Sequence, residues 1–274
     1  MPQNLLITGS SRGLGRALAE AALAAGHRVV ATARNSATVG DLVEKYPDTA
    51  RGVALDVTDP RAAEAAVQLV VAEFGRLDVL INNAGYSNVS AIEDTTLEDF
   101  RAQVETNLWG AVHLSKAALP VLRAQRGGHI VQVSSVSGRL APAAGLGAYV
   151  TAKFALEGFS EALAVEVEQF GVKVTIVEPG AMATTLASSM TLAEPSPPYA
   201  QIMAPMLARY GDPHAGYGVS AERAAEVVLG LLDLPNPPLW FPLSGDALDY
   251  IRAGEQRKVA ELDRWAGLSR LADA

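Results

Sequence analysis

The chain has 274 residues, 49% of them hydrophobic and 19% charged, which is enough apolar material for one sizeable α/β core. Its net charge of −8 excludes the broad basic field that nucleic acid or an anionic membrane surface requires. With no cysteine there are no disulfides, thiolate nucleophiles or Cys-ligated zinc, which suits a reducing cytoplasm, and the four scattered histidines form no metal-ligating pair.

The N-terminus leads directly into a strand-like segment without the pattern of a signal peptide. No apolar run reaches the about 18 residues of a membrane helix. Short β-branched runs at Leu5–Thr8, Arg28–Thr32, Gly52–Leu55, Val79–Ile81, His129–Val133 and Val172–Val177 predict strands. Ala-, Leu- and Glu-rich stretches at Arg16–Ala25, Arg61–Phe74, Leu97–Ala118 and Tyr149–Phe170 predict helices between them. Near-continuous apolar strands alternating with helices predict a parallel sheet covered on both faces, a doubly wound, Rossmann-like α/β fold in a single domain over 1–274. After Gly180 the texture changes: residues 186–218 carry five prolines and three methionines without a period. They read as a substrate loop or lid over about 186–220. Helix-like Ala221–Leu232, the apolar run Leu239–Leu243 and a C-terminal helical extension over about 246–272 follow. In that extension Val259, Leu262, Trp265 and Leu268 are expected near one face.

The first strand runs into Thr8-Gly9-Ser10-Ser11-Arg12-Gly13-Leu14-Gly15, which in turn opens a helix. Glycines let the backbone approach a phosphate, and the helix N-terminus aims N–H groups at it. The spacing Gly9-x3-Gly13-x-Gly15 is neither GxGxxG nor the P-loop pattern. Dinucleotide folds place an acid roughly 20 residues beyond the loop to hold the adenine ribose hydroxyls. Here the second strand ends in Arg34 instead. An arginine there suits a 2′-phosphate, with Arg12 approaching from the other side, which predicts NADP(H) over NAD(H).

Tyr149 and Lys153 stand at i and i+4 and so share a helix face. An ammonium about 4 Å from the phenol contributes roughly 4 kcal/mol at an effective dielectric of about 20. That draws a tyrosine down from its ordinary pKa of about 10 toward neutrality. The strand His129–Val133 delivers Ser134-Ser135-Val136-Ser137-Gly138 at its C-terminal end, where open parallel sheets bind ligands. Asn107, in the middle of a predicted helix, is a weak helix former that competes with the backbone. Asp56 also reads as a cap for the helix start at Thr58–Arg61, and Asn82 and Asn83 as groups that satisfy backbone at a strand end.

Together, Thr8-Gly9-x3-Gly13-x-Gly15, Asp56-Val57, Asn82-Asn83-Ala84-Gly85, Asn107, Ser134–Gly138, Tyr149-x3-Lys153 and Pro179-Gly180-x3-Thr184 resemble the short-chain dehydrogenase/reductase family. They occur in the family's order, between residues 3 and 185. The resemblance implies an oxidoreductase in which Tyr149 is the general acid/base and Ser135 bonds the reacting oxygen. Lys153 would tune the tyrosine and hold the nicotinamide ribose, and Asn107 would support a proton-relaying water. Gly9, Ser11, Arg12, Gly13, Leu14 and Gly15 would hold the pyrophosphate end, with Arg34 beside it. Asp56 and Val57 would contact adenine, and Asn83, Ala84 and Gly85 would line the channel. Pro179, Gly180, Met182 and Thr184 would fix the carboxamide end; no metal is implied.

Two departures stand out. Ser135 and Tyr149 are one residue further apart than the family pattern, which keeps Ser134 and Ser137 as substitutes, and position 152 is alanine where serine is common. The apolar loop residues Leu186, Met190, Leu192, Tyr199, Ile202, Met203, Met206 and Leu207 predict a hydrophobic ketone or alcohol as substrate, or pack on the protein's own core. The family's pairing through Leu97–Ala118 and Tyr149–Phe170 implies a homodimer, with a tetramer as the second choice. A non-catalytic NADP(H) sensor, or enoyl reduction or dehydration on the same scaffold, are the rival readings.

Overall fold

In the computed structural model, which describes residues 2–183, 190–211 and 218–273, the apolar runs become strands whose residues alternate between two cores. In β1 (Asn4–Ile7), Leu5 and Ile7 enter one core and Leu6 the other. β2 (Arg28–Ala33) and β4 (Val79–Asn82) do the same, with Val30 and Leu80 on the side of Leu6. The period-2 pleat of a strand buried on both faces produces this split. β3 (Ala50–Ala54), β5 (Gly128–Val133), β6 (Val172–Pro179) and β9 (Trp240–Leu243) complete a seven-stranded sheet in the order β3-β2-β1-β4-β5-β6-β9. All its pairings are parallel.

Helices α1 (Gly13–Ala24) and α8 (Ala221–Leu232), with the short α2 (Gly40–Lys45), cover one face. The other is covered by α3 (Pro60–Phe74), α5 (Gly110–Gln125) and α6 (Gly147–Val167). The protein is therefore a Rossmann-like doubly wound sheet in one domain. Local chemistry sets the helix ends. At α3 the Asp59 carboxylate accepts from Arg61 N at 2.8 Å, Pro60 occupies the first turn, and Gly75 closes the helix at φ +82.

Three expectations are corrected. The single helix expected over Leu97–Ala118 is α4 (Leu97–Val104), a wide π turn over Glu105–Trp109 and then α5. The loop expected over 186–220 contains α7 (Ala200–Gly211), between the two-residue strands β7 (Met182–Ala183) and β8 (Val219–Ser220). Pro205 inside α7 hides its periodicity, while Met203 and Met206 bury themselves against Val89, Ala91 and Leu146. The C-terminal extension is helical, as α9 (Gly245–Ser269), but only Ala247, Ile251 and Gly254 of it are buried. Val259, Leu262, Trp265 and Leu268 are exposed. Steps of three fall short of a 3.6-residue turn, so these side chains wind around the helix instead of sharing a face.

Leu18, fully buried on α1, and Leu262, exposed on α9, make a direct comparison. Leu18→Ala is expected to cost about 2–5 kcal/mol in urea unfolding, and Leu262→Ala to change stability by less than about 0.5 kcal/mol.

Candidate active site

The strand order reverses between β1 and β4, and a crevice opens there at the C-terminal strand ends. A cavity of about 780 Å³ occupies it, with the glycine loop at one end and Tyr149 at the other. Gly9 and Gly13 take φ of +70 and +56, the left-handed region that glycine enters without steric cost. A Cβ on Gly15 would collide with the Gly9 carbonyl and the Asn83 carboxamide, so α1 starts in contact with the loop that feeds it.

The Asn83–Gly85 stretch braces this loop. Thr8 Oγ1 accepts from Asn83 N and Ala84 N, both at 2.9 Å. Asn83 Nδ2 donates to Thr8 O at 2.9 Å and Gly9 O at 3.3 Å. Asn82 is purely internal, donating to Ser115 Oγ at 3.1 Å and Gln132 Oε1 at 3.0 Å. No side chain caps the start of α1, which leaves its first N–H groups directed at the crevice for an anion.

The nearby arginines divide into two kinds. Arg16 is held by Glu20 at 2.7 Å and by Asp41, and this pairing raises its pKa further. Arg12 and Arg34 line the cavity, are exposed, and have no carboxylate within ion-pair distance among the described residues. Asp56 lines the cavity with one oxygen engaged, accepting from Thr58 N at 3.0 Å and Thr58 Oγ1 at 2.8 Å. These bonds, aided by Arg34, hold its carboxyl below the usual range. It closes the turn at Thr58, while the start of α3 is capped by Asp59. With buried Leu55 and Val57, this side of the cavity is built from the ends of β2 and β3 and the residues that follow them.

At the opposite end the π turn carries Asn107, which is almost fully buried. Its Nδ2 donates to Tyr86 O and Gln103 O, each at 2.8 Å, and its Oδ1 accepts from Tyr86 N at 3.2 Å. A Cβ on Gly85 would meet both Asn107 Oδ1 and, at 3.8 Å, Lys153 Nζ, so these two side chains face each other across Gly85. The π turn is what turns Asn107 toward the crevice, a common use of such bulges.

All three candidate serines line the cavity, but Ser134 and Ser137 are buried while Ser135 is partly exposed. Ser135 Oγ accepts from Ser137 N at 3.1 Å, which leaves its own proton to donate. A connector over 139–146 joins the serine turn to α6.

Tyr149 and Lys153 project from the first turns of α6 into the same cavity. Lys153 Nζ donates to Val133 O at 2.8 Å and sits 5.7 Å from the Tyr149 ring centroid. Burial pushes the lysine down to about 8, opposed by Glu157, which is itself pushed up to about 7 by burial.

Pro179, Gly180 and Met182 line the cavity; Thr184 and Leu186 lie outside the described residues. Of the expected loop residues that are described, Met190 and Met206 reach it, while Met203 is fully buried and Ile202 is exposed. Asp246 and Tyr250 from α9, and Tyr86 and Asn88 beyond β4, also line it. No sequence pattern marks Asp246 or Tyr250, since they arrive from 100 residues away. Glu157 repeats the four-residue step from Tyr149 to Lys153, a signal that was readable. Among the described residues, no group of three or more His, Asp or Glu is arranged to hold a metal ion.

The short chain dehydrogenase family model matches residues 3–195. The oxidoreductase BOA17 of Botryotinia fuckeliana is 47% identical over 266 residues, covering 96% of each chain. The 3-ketodihydrosphingosine reductase of Bacteroides thetaiotaomicron is 40% identical over 195 residues, 70% of this chain and 69% of that one. A short-chain dehydrogenase structure from Streptomyces avermitilis superposes with a TM-score of 0.93 at 40% identity, covering 100% of both chains.

Gly15→Ala tests the closeness of the loop to α1. Because backbone must shift to admit the methyl group, a stability loss of about 1–3 kcal/mol is expected in denaturant unfolding.

Proposed function

The chain belongs to the short-chain dehydrogenase family and is an oxidoreductase of it, and on that footing we propose an NADP(H)-dependent carbonyl reductase acting reversibly on secondary alcohols. The observation that carries the reading is the convergence of Asn107, Ser135, Tyr149 and Lys153 on one cavity whose other end is the glycine loop. The fit to a dinucleotide rests on the uncapped start of α1, the left-handed glycines and the close approach at Gly15. When bound, the nicotinamide supplies or takes the hydride.

Every other part of the chemistry falls to the chain. Ser135 donates its free proton to the substrate oxygen and holds it beside Tyr149. Tyr149 gives a proton to that oxygen in reduction and takes one from the alcohol in oxidation. Lys153, positively charged and close to the ring, favours the tyrosinate and so eases both directions. Asn107, facing Lys153 across Gly85, supports the relay that restores the proton. Pro179, Gly180 and Met182 form the wall beside the nicotinamide end, with Thr184 next in the chain.

Preference for NADP(H) is supported by Arg12 and Arg34, two cations at the cavity edge that make no ion pair within 4 Å among the described residues, although Arg34 is near enough to act on Asp56. A free guanidinium there has a phosphate's charge and geometry to match. For the substrate, Pro142, Ala143, Leu146, Met190 and Met206 favour an apolar ketone or alcohol. The name of the Bacteroides relative, a reductase of a ketone on a long-chain base, agrees with this. Exposed Leu97, Trp109, Phe154 and Val165 on α4–α6 support a homodimer through these helices.

Tyr149→Phe should lower reduction of the best ketone from an apolar panel by at least about 100-fold. NADPH binding, followed by its fluorescence, should stay unchanged; full turnover in this variant would sink the reading. Arg34→Asp should level or reverse the ratio of kcat/KM for NADPH over NADH, while an unaltered ratio would argue against the phosphate site.

A further inference from the structure

One helical turn beyond Lys153, Glu157 is only 4% exposed, and neither of its carboxyl oxygens has a hydrogen-bond partner among the described residues. Taking a carboxyl out of water without hydrogen bonds is strongly unfavourable unless a charge compensates it. Five groups face it. Lys153 comes from its own helix, Ser134 from the end of β5, Gly138 and Arg139 from the turn that follows, and Glu178 from β6. Ser134, whose hydroxyl lies beside the carboxyl at Gly138 without a well-formed hydrogen bond to it, favours the charged form, and Glu178 opposes it with a like charge.

Of the two cations, Arg139 is already shared, lying 3.2 Å from Glu178 and 3.1 Å from Glu255 of α9. Lys153 has no such claim on it, because its hydrogen bond goes to the neutral Val133 carbonyl. Lys153 and Glu157 form no ion pair within 4 Å, but one helical turn apart in a buried site each favours the charged form of the other.

We infer that Glu157 is a positioning residue for the reaction proposed above: its carboxylate keeps the Lys153 ammonium charged in its buried site, and through Lys153 it sustains proton exchange at Tyr149. The inference rests on the Tyr149–Lys153 reading. The directions agree with it. Burial draws the lysine down and Glu157 resists that fall, leaving it at about 8, and the carboxyl, pushed up to about 7 by burial, is ionised in the range where the lysine would lose its charge. Removing the carboxylate lowers the folded-state pKa of Lys153 further, so the alkaline loss of activity moves to lower pH.

The test is Glu157→Gln, which keeps the shape and removes the charge, with Glu157→Asp as the charge-retaining control. The chain has five lysines, so the ε-carbon of Lys153 is resolvable by 13C NMR in lysine-labelled protein and assignable with Lys153→Arg. The Lys153 midpoint is expected to fall by about one pH unit in Glu157→Gln, as for the loss of one partly screened charge. The alkaline limb of kcat for the best ketone with NADPH should fall with it, and Glu157→Asp should restore most of both. A midpoint and limb unchanged in Glu157→Gln, even with lowered stability, would overturn the inference and leave Glu157 structural. If Glu157→Gln does not fold, Glu157→Met, which also removes the charge, decides: an acidward shift of the Lys153 midpoint supports the inference and none overturns it. Turnover retained in Tyr149→Phe would strike the underlying reading, whereas its loss beside an unmoved Lys153 midpoint strikes only the role of Glu157.

Discussion

Lys153 carries its ammonium into a place where only 4% of the residue meets solvent, where it donates to the Val133 carbonyl and feels the charge of Glu157 one helical turn on. Removing a charge from water is costly, so every neighbour must either bond it, balance it or stay apolar. The end of β5 therefore cannot move independently of α6, because the strand's last carbonyl is the lysine's hydrogen-bond acceptor. The same strand end delivers Ser135, so one buried cation sets the spacing between the candidate proton donor and the candidate acid/base. Gly85 keeps the third wall thin enough for Asn107 to face it.

The glycine-loop end of the crevice obeys a different constraint, the close approach of backbone to backbone. Thr8 and Asn83 exchange hydrogen bonds that tie the glycine loop to the end of β4, and Ser10 N donates to Thr32 O at 2.7 Å, tying it to β2. Behind this surface the buried set Asn82, Ser115 and Gln132 joins β4 and β5 to α5. A rigid, water-poor backing of this sort lets a few oriented N–H groups act strongly on an anion.

The C-terminal third closes the cavity from the other side. Asp246 at the start of α9 accepts from Ala181 N at 3.1 Å, and Gly254 packs on Leu140. Arg139 bridges Glu178 and Glu255, while Lys258 Nζ donates to Arg139 O at 2.6 Å. The inner half of α9 is thus fastened to the turn that carries Ser135, and the outer half projects without packing. This wall of the cavity is accordingly shared between α9, the segment around Met190 and α7, elements with little local pattern in common.

What the sequence by itself determined was the alternation of β-branched runs and helices, the glycine loop, and the identities and spacing of Tyr149, Lys153, Ser135 and Asn107. These are local: a pleat of period 2, a turn of 3.6 residues and a strand end each constrain neighbours a few positions apart. The sequence left α7 unseen, because Pro205 masks its period, and misjudged the outer residues of α9, whose three-residue steps only resemble a face. Only the tertiary structure decided which serine is partly exposed to the cavity, which cavity arginines make no ion pair among the described residues, and that Glu157 lies one turn from the lysine without a hydrogen bond. Those outcomes depend on burial and on partners such as Asp41, Glu178 and Glu255, brought together from distant parts of the chain. Desolvation and charge pairing act through space, so no spacing along the chain encodes them.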